Sequence, residues 1–181
     1  MYILTVDQAR SGGYSIWDYD DKRLMTYGSF NFPTEKFSFP QAVHLIENTV
    51  ETLVCEKNIS AVFIEDINLR GNVRVFKQLA QLQGVLINMF EKTNTLYDLI
   101  APSTWQNYCN ARGRTTKEVK DKVLQANIEG KKKSKVLSIE FIHNKFHVDT
   151  NNDNVADAIC MGWYVVNNVK IEVSPQVNFK E

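Results

Sequence analysis

The sequence predicts one α/β domain over residues 1–181, a mixed five-stranded sheet flanked by helices. Three observations predict it. Three strand-like runs come first, joined by two tight connections, which is the pattern of an antiparallel meander. Two further apolar strand runs then alternate with stretches of helical periodicity. Hydrophobic residues make up 44% and charged residues 23% of the 181, enough for a soluble core of this size.

Taken in order, Tyr2 to Val6 is an apolar run that stops at Asp7. Gly12-Gly13 marks a turn, and Tyr14 to Tyr19 is a second strand. Asp20-Asp21-Lys22 is the next turn, before a third strand from Leu24 to Phe30. Pro40 sits at a helix start, and Ala42, Val43, Leu45, Ile46, Val50, Leu53 and Val54 follow at helical spacing. Ile59 to Ile64 is a continuous apolar run between Asn58 and Glu65, as expected of a central strand covered on both faces. Asn72 to Lys92 is the longest helical stretch, with apolar residues almost all round it. Such a helix is buried on more than one side, either within its own core or against a partner subunit. Thr95 to Ile100 is the fifth strand, and Ser103 is a candidate N-cap for a short helix. Helices are expected over Lys117 to Asn127 and Ser134 to His143. A turn at Asn151-Asn152 precedes a last helix from Asp153 to about Val166. There is no internal repeat.

The formal net charge is zero, but the charge is unevenly spread. Residues 112–135 hold nine bases and three acids, a local excess of +6 that the rest of the chain offsets. Such a patch can engage phosphates while the bulk charge stays neutral, although a lysine run is also a common solvated face. No apolar run approaches the ~20 residues that span a bilayer. The first residues read as a strand and not as a signal peptide. Cys55, Cys109 and Cys160 are odd in number and lack metal-ligand spacing, so they read as small buried apolar residues in a reducing, cytoplasmic setting.

Three acids stand where a buried element would hold them. Asp7 ends the first strand, Glu65 ends the fourth, and Asp157 lies inside Val155-Ala156-Asp157-Ala158-Ile159. An ionised carboxylate in an apolar helix costs several kcal/mol if unpaired, so a cation should meet it. A divalent metal would serve, since hard cations take carboxylate oxygens. Asp153 lies four residues before Asp157 on the same helix face, as an N-cap, a ligand or both.

This order of acids resembles the RuvC branch of the RNase H-like superfamily. The segments that carry the resemblance are Ile3-Leu4-Thr5-Val6-Asp7 with Gly13-Tyr14-Ser15, then Val62-Phe63-Ile64-Glu65, then Lys133-Ser134-Lys135-Val136, then Ala156-Asp157-Ala158-Ile159. Pro102-Ser103-Thr104-Trp105 and Asp153-Asn154-Val155-Ala156 are similar to phage-encoded members. Two departures stand out. The bacterial pattern sets its helix acids three residues apart, whereas Asn154 stands three before Asp157 and the acid is Asp153. Either Asp153 serves from the adjacent position or Asn154 binds through its amide oxygen; Asp153 is favoured because carboxylates bind magnesium better than neutral amides. Gln8 to Gly12 replaces the family's Pro-Gly-Ser type of turn.

The resemblance implies an RNase H-like fold and a crossover junction endonuclease. Two Mg²⁺, or Mn²⁺ in their place, would be held by Asp7, Glu65, Asp157 and Asp153 and would drive hydrolysis of a phosphodiester. Lys133, or a neighbour in the run, would neutralise charge on the phosphoryl group. A resolvase nicks two strands symmetrically, which implies a homodimer through helix 72–92. Arg70, Arg74, Lys77, Lys131, Lys132 and Lys135 are candidates for contacts to branched DNA. The host cytoplasm is then the expected location. Another RNase H-like nuclease, acting on flaps or RNA–DNA hybrids, and a non-cutting junction-binding dimer are the competing readings. An actin-like ATPase is disfavoured, because the eight glycines form no second phosphate loop.

Overall fold

The computed structural model describes residues 1–69, 72–112, 120–124 and 133–171. Five strands, β1 (Tyr2–Asp7), β2 (Ser11–Asp18), β3 (Arg23–Asn31), β4 (Ile59–Glu65) and β5 (Leu96–Ile100), form one sheet in the order β3-β2-β1-β4-β5. β1, β2 and β3 pair antiparallel, while β4 lies parallel to both β1 and β5. This is the mixed sheet expected, and it is the RNase H-like arrangement. Helices α1 (Phe39–Glu56) and α2 (Val73–Lys92) cover one face. Helices α3 (Pro102–Tyr108), α4 (Lys133–Phe146) and α5 (Asp153–Asn168) cover the other.

The two-residue period of the strands divides the core into two layers. Leu4, Val6, Val62 and Ile64 join Ile46, Val50, Leu82, Leu86 and Phe90 on the α1/α2 face. Ile3, Ala61 and Phe63 join Trp17, Trp105, Ile142, Ile159 and Met161 on the α5 face. Full burial of each large apolar side chain contributes about 1.5–3 kcal/mol, so both layers are needed. The central strand β4 is covered on both faces, as its unbroken apolar run predicts.

Local chemistry fixes the helix starts. Ser38 caps α1 in a capping box with Gln41, and Pro40 lies in the first turn. Asn72 caps α2 by accepting from the Val75 amide. Two expectations need correction here. Ser103 is not the cap of α3. Ala101 holds that position without a side-chain hydrogen bond, because Pro102 takes the first helical position, where its fixed φ and missing N–H cost nothing. Asp153 is not the cap of α5. Asn152 is, accepting from the amides of Asn154 and Val155, and Asp153 stands in the first turn.

A third correction concerns Gly12-Gly13, expected as a turn but found inside β2, with Gly13 paired to Asp7. The reason is close approach. A Cβ on Gly13 would lie 2.2 Å from the Asn154 carbonyl oxygen, at the start of α5. At the other end of the contact, a Cβ on Gly162 would lie 2.0 Å from Trp17 Nε1. Two glycines, one on the strand and one on the helix, let α5 lie directly on β2. Part of the helix expected over Lys117 to Asn127 is seen at residues 120–124; the remainder lies outside the described residues. Among the described residues no helix is long and apolar enough to cross a membrane.

Candidate active site

The same period that sorts the core places the acids. Asp7 follows Ile3 and Thr5 on the α5 face of β1, and Glu65 follows Ala61 and Phe63 on the α5 face of β4. The parallel register runs to Val6 opposite Ile64, so Asp7 and Glu65 come next, side by side at the carboxyl ends of neighbouring strands. Such strands lie about 4.8 Å apart. α5 crosses this face and brings Asp157 and, one turn earlier, Asp153. The chain therefore gathers four acids, from three elements, at one end of the sheet.

A buried hydroxyl network fixes α5 against the sheet. Thr5 Oγ1 donates to the Ala158 carbonyl at 2.8 Å, and Ser15 Oγ lies 3.0 Å from the same oxygen. The two hydroxyls are 2.7 Å apart, and Trp17 Nε1 donates to Ser15 Oγ. Ala158 is the residue after Asp157, so this network sets the depth of that carboxylate. Glu65 is held as well. Trp105 Nε1 donates to Glu65 Oε1 at 3.2 Å, and Gln8 Nε2 donates to the Glu65 carbonyl at 2.9 Å.

The electrostatics are those of crowded acids in a dry site. Burial pushes Asp7 well above the usual aspartate range, and the Glu65, Asp157 and Asp153 carboxylates push it further, against Lys135. Burial raises Asp157 too, with Lys135 opposing. Lys135 Nζ lies 2.5 Å from Asp157 Oδ2 and 3.2 Å from Asp153 Oδ2. Burial disfavours its charge, but Asp157, Asp7 and Asp153 outweigh burial and hold the ammonium ionised.

Each residue singled out in the sequence can now be located. Asp7, Glu65, Asp153 and Asp157 come together. Lys135, expected as a DNA contact, is the lysine that meets them. Lys133 opens α4 two residues earlier; two residues turn a helix by about 200°, so Lys133 leaves from the other side. Asn154 donates its amide to the Ser11 carbonyl and hydroxyl, 3.1 Å each, so Asp153 and not Asn154 engages the ammonium. Arg74 and Lys77 are exposed on the first turns of α2. Arg70, Lys131 and Lys132 lie outside the described residues. Of the basic run, Arg112 donates to Gln106 and Lys122 pairs with Glu140. Sequence reading gave no site role to Thr5, Ser15, Gly13, Gln8 or Trp105. An indole near the site and small or hydroxyl residues alternating along β1 and β2 were the available signals.

The residues fit a divalent ion by chemistry. All four side chains offer hard oxygens. Asp157 Oδ1 is buried and accepts no hydrogen bond among the described residues, and Gln8 Oε1 is in the same position beside Glu65. An acceptor left so costs about 1–3 kcal/mol unless a cation or donor meets it. Among the described residues no three acids stand as a ready-made cage. The ammonium of Lys135 lies between two of them.

The fold is similar to that of RuvC and of other Holliday junction resolvases of known structure. Thermus thermophilus RuvC matches with a TM-score of 0.66 at 12% identity, over 91% of this chain and 92% of that one. The yeast mitochondrial Holliday junction resolvase Ydc2 matches with a TM-score of 0.56 at 14% identity, over 91% and 77%. The fowlpox virus resolvase, solved in complex with substrate Holliday junction DNA, matches with a TM-score of 0.50 at 16% identity, over 92% and 97%. No protein-family model and no curated protein matches the sequence.

Proposed function

We propose that this chain is a metal-dependent endonuclease that resolves four-way DNA junctions. The observation that carries the reading is the meeting of Asp7, Glu65, Asp157 and Asp153 at the carboxyl ends of β1 and β4, within a resolvase fold. Asp7, Glu65, Asp157 and Asp153 would hold Mg²⁺ or Mn²⁺, which supplies an activated water and stabilises the leaving oxygen of a phosphodiester. Trp105 and Gln8 orient Glu65, and the Thr5–Ser15 pair sets Asp157. Lys135 brings positive charge to the same place, and Arg74 and Lys77 lie where a phosphate backbone could reach them. The symmetric product, two opposed nicks with 5′-phosphate and 3′-hydroxyl ends, needs two copies of the site.

A homodimer through α2 is part of the proposal. Val73 and Val75 are 53% and 47% exposed in the first turn of that helix and Leu69, before it, is 61% exposed, whereas Leu82, Leu86, Met89 and Phe90 further along are buried. Apolar side chains clustered so openly mark interaction surfaces.

The test is Mg²⁺-dependent cleavage of a synthetic four-way junction beside a flap and an RNA–DNA hybrid. Wild type should nick the junction fastest. A group that merely orients a metal ligand is worth about 10–100-fold, so Asp7→Asn, which removes a ligand, should lose more than ~100-fold. Equal nicking by the two proteins would refute the site. Junction binding without nicking would make the chain a non-cutting binder.

A further inference from the structure

Lys135 rises from the first turn of α4 and spans the two acids that α5 presents one turn apart. Its Nζ lies 2.5 Å from Asp157 Oδ2 and 3.2 Å from Asp153 Oδ2. A divalent ion held by Asp153 and Asp157 would compete with the ammonium for the same two carboxylates, since an ammonium and a hard cation both bind carboxylate lone pairs. Bound together, the two cations repel at contact distance, so each weakens the hold of the other. The lysine side chain is 27% exposed and its four-carbon stem is flexible, so it has an open side by which to leave. Asp157 itself is nearly buried and would otherwise stand among Asp7, Glu65 and Asp153 without compensation.

We propose that Lys135 is a built-in counter-ion that bridges Asp153 and Asp157 in the metal-free protein and is exchanged for the divalent ion when that ion binds. The inference rests on the nuclease reading of the site. It assigns the lysine a cost as well as a benefit: it keeps the acid cluster folded before metal arrives, and it weakens metal binding. A permanent structural ion pair predicts the reverse, since removing it would loosen the ligands and weaken metal binding.

The experiment uses the full chain without DNA, with Mn²⁺ as the probe. Isothermal titration measures Mn²⁺ affinity, and thermal unfolding in chelator measures the metal-free protein. Lys135→Met should bind Mn²⁺ more tightly, by at least about fivefold. It should also unfold at a lower temperature in chelator and recover with excess Mn²⁺. Lys135→Arg, which keeps the charge, should stay close to wild type in both. Wild-type or weaker Mn²⁺ binding by Lys135→Met overturns the proposal. A second measurement needs only folded wild type. The Lys135 Nζ resonance, assigned by its absence from Lys135→Arg, should shift and exchange faster with water as Mg²⁺ is added. A resonance unchanged at saturating Mg²⁺ overturns the exchange while leaving the nuclease reading intact. A wild type that binds neither metal overturns both.

Discussion

Asp7 is a carboxyl whose burial among other acids works against stability. Its ordinary value is near 3.8, and burial with neighbouring acids raises it in the folded protein. Between those two values the native state binds more protons than the unfolded chain. The contribution of Asp7 to stability is therefore complete below about pH 4 and is lost as pH rises through the folded value. In chelator, the melting temperature of wild type should fall across that range. Asp7→Asn should flatten the fall and melt higher than wild type at pH 7, although on the proposed reading it should lose nicking. A stability change of about 1 kcal/mol moves the melting temperature by roughly 2–4 °C for a chain of this length. Unfolding scans at several pH values in chelator check this, and a mutant that melts lower than wild type at pH 7 would contradict it. The hydroxyl of Thr5 acts at the same scale. Thr5→Val keeps the shape but leaves the Ala158 carbonyl and Ser15 with one donor fewer. It should cost about 1–3 kcal/mol of stability and lower turnover while junction affinity stays unchanged.

At the scale of elements, the site depends on how closely α5 lies on β2. Gly13 and Gly162 make that approach possible, because any side chain there would meet backbone or the Trp17 indole. Gly13→Ala must push the amino-terminal turn of α5, with Asp153, away from Asp7. Overpacking of this kind typically costs about 1–3 kcal/mol, and here it should also weaken Mn²⁺ binding. Urea unfolding and metal titration of the same variant would separate the two effects; wild-type metal affinity would show that the helix start has a freer position than the packing indicates. The short α3 makes the complementary contribution, since Pro102 starts it and Trp105 reaches back to Glu65. The acids of β1 and β4 are thus positioned by strand register, and those of α5 by glycine and hydroxyl contacts.

For the whole molecule, the proposed pair of nicks would require two sites, and the proposed dimer would meet through the exposed Leu69, Val73 and Val75. Val75→Asp places a charge there without disturbing either core layer. It should convert a dimer to a monomer by light scattering and uncouple the paired nicks, leaving single nicked junctions. A variant that remains dimeric would move the interface away from this part of α2. The uneven charge belongs to this scale as well. A neutral chain with a +6 segment should bind DNA with a steep salt dependence even though its isoelectric point is near neutrality.

Periodicity and punctuation are local properties, so the sequence by itself determined the five strands, the helices that cover them, and the positions of Asp7 and Glu65 at strand ends and of Asp157 inside the last helix. The two-residue alternation of β1 and β4 already put their acids on one face, and the spacing of Asp153 and Asp157 put these two on one helix side. What it left open depended on contacts between distant segments. Asn152 rather than Asp153 caps α5, Gly12-Gly13 lies in a strand, and Lys135 rather than Lys133 meets the acids. Two lysines two residues apart look alike in a sequence; the way α4 packs on α5 decides which one faces the carboxylates. A glycine likewise reads as a turn until the helix that presses against it is in place. Those choices belong to the tertiary structure because burial, repulsion and close approach exist only once the chain has folded.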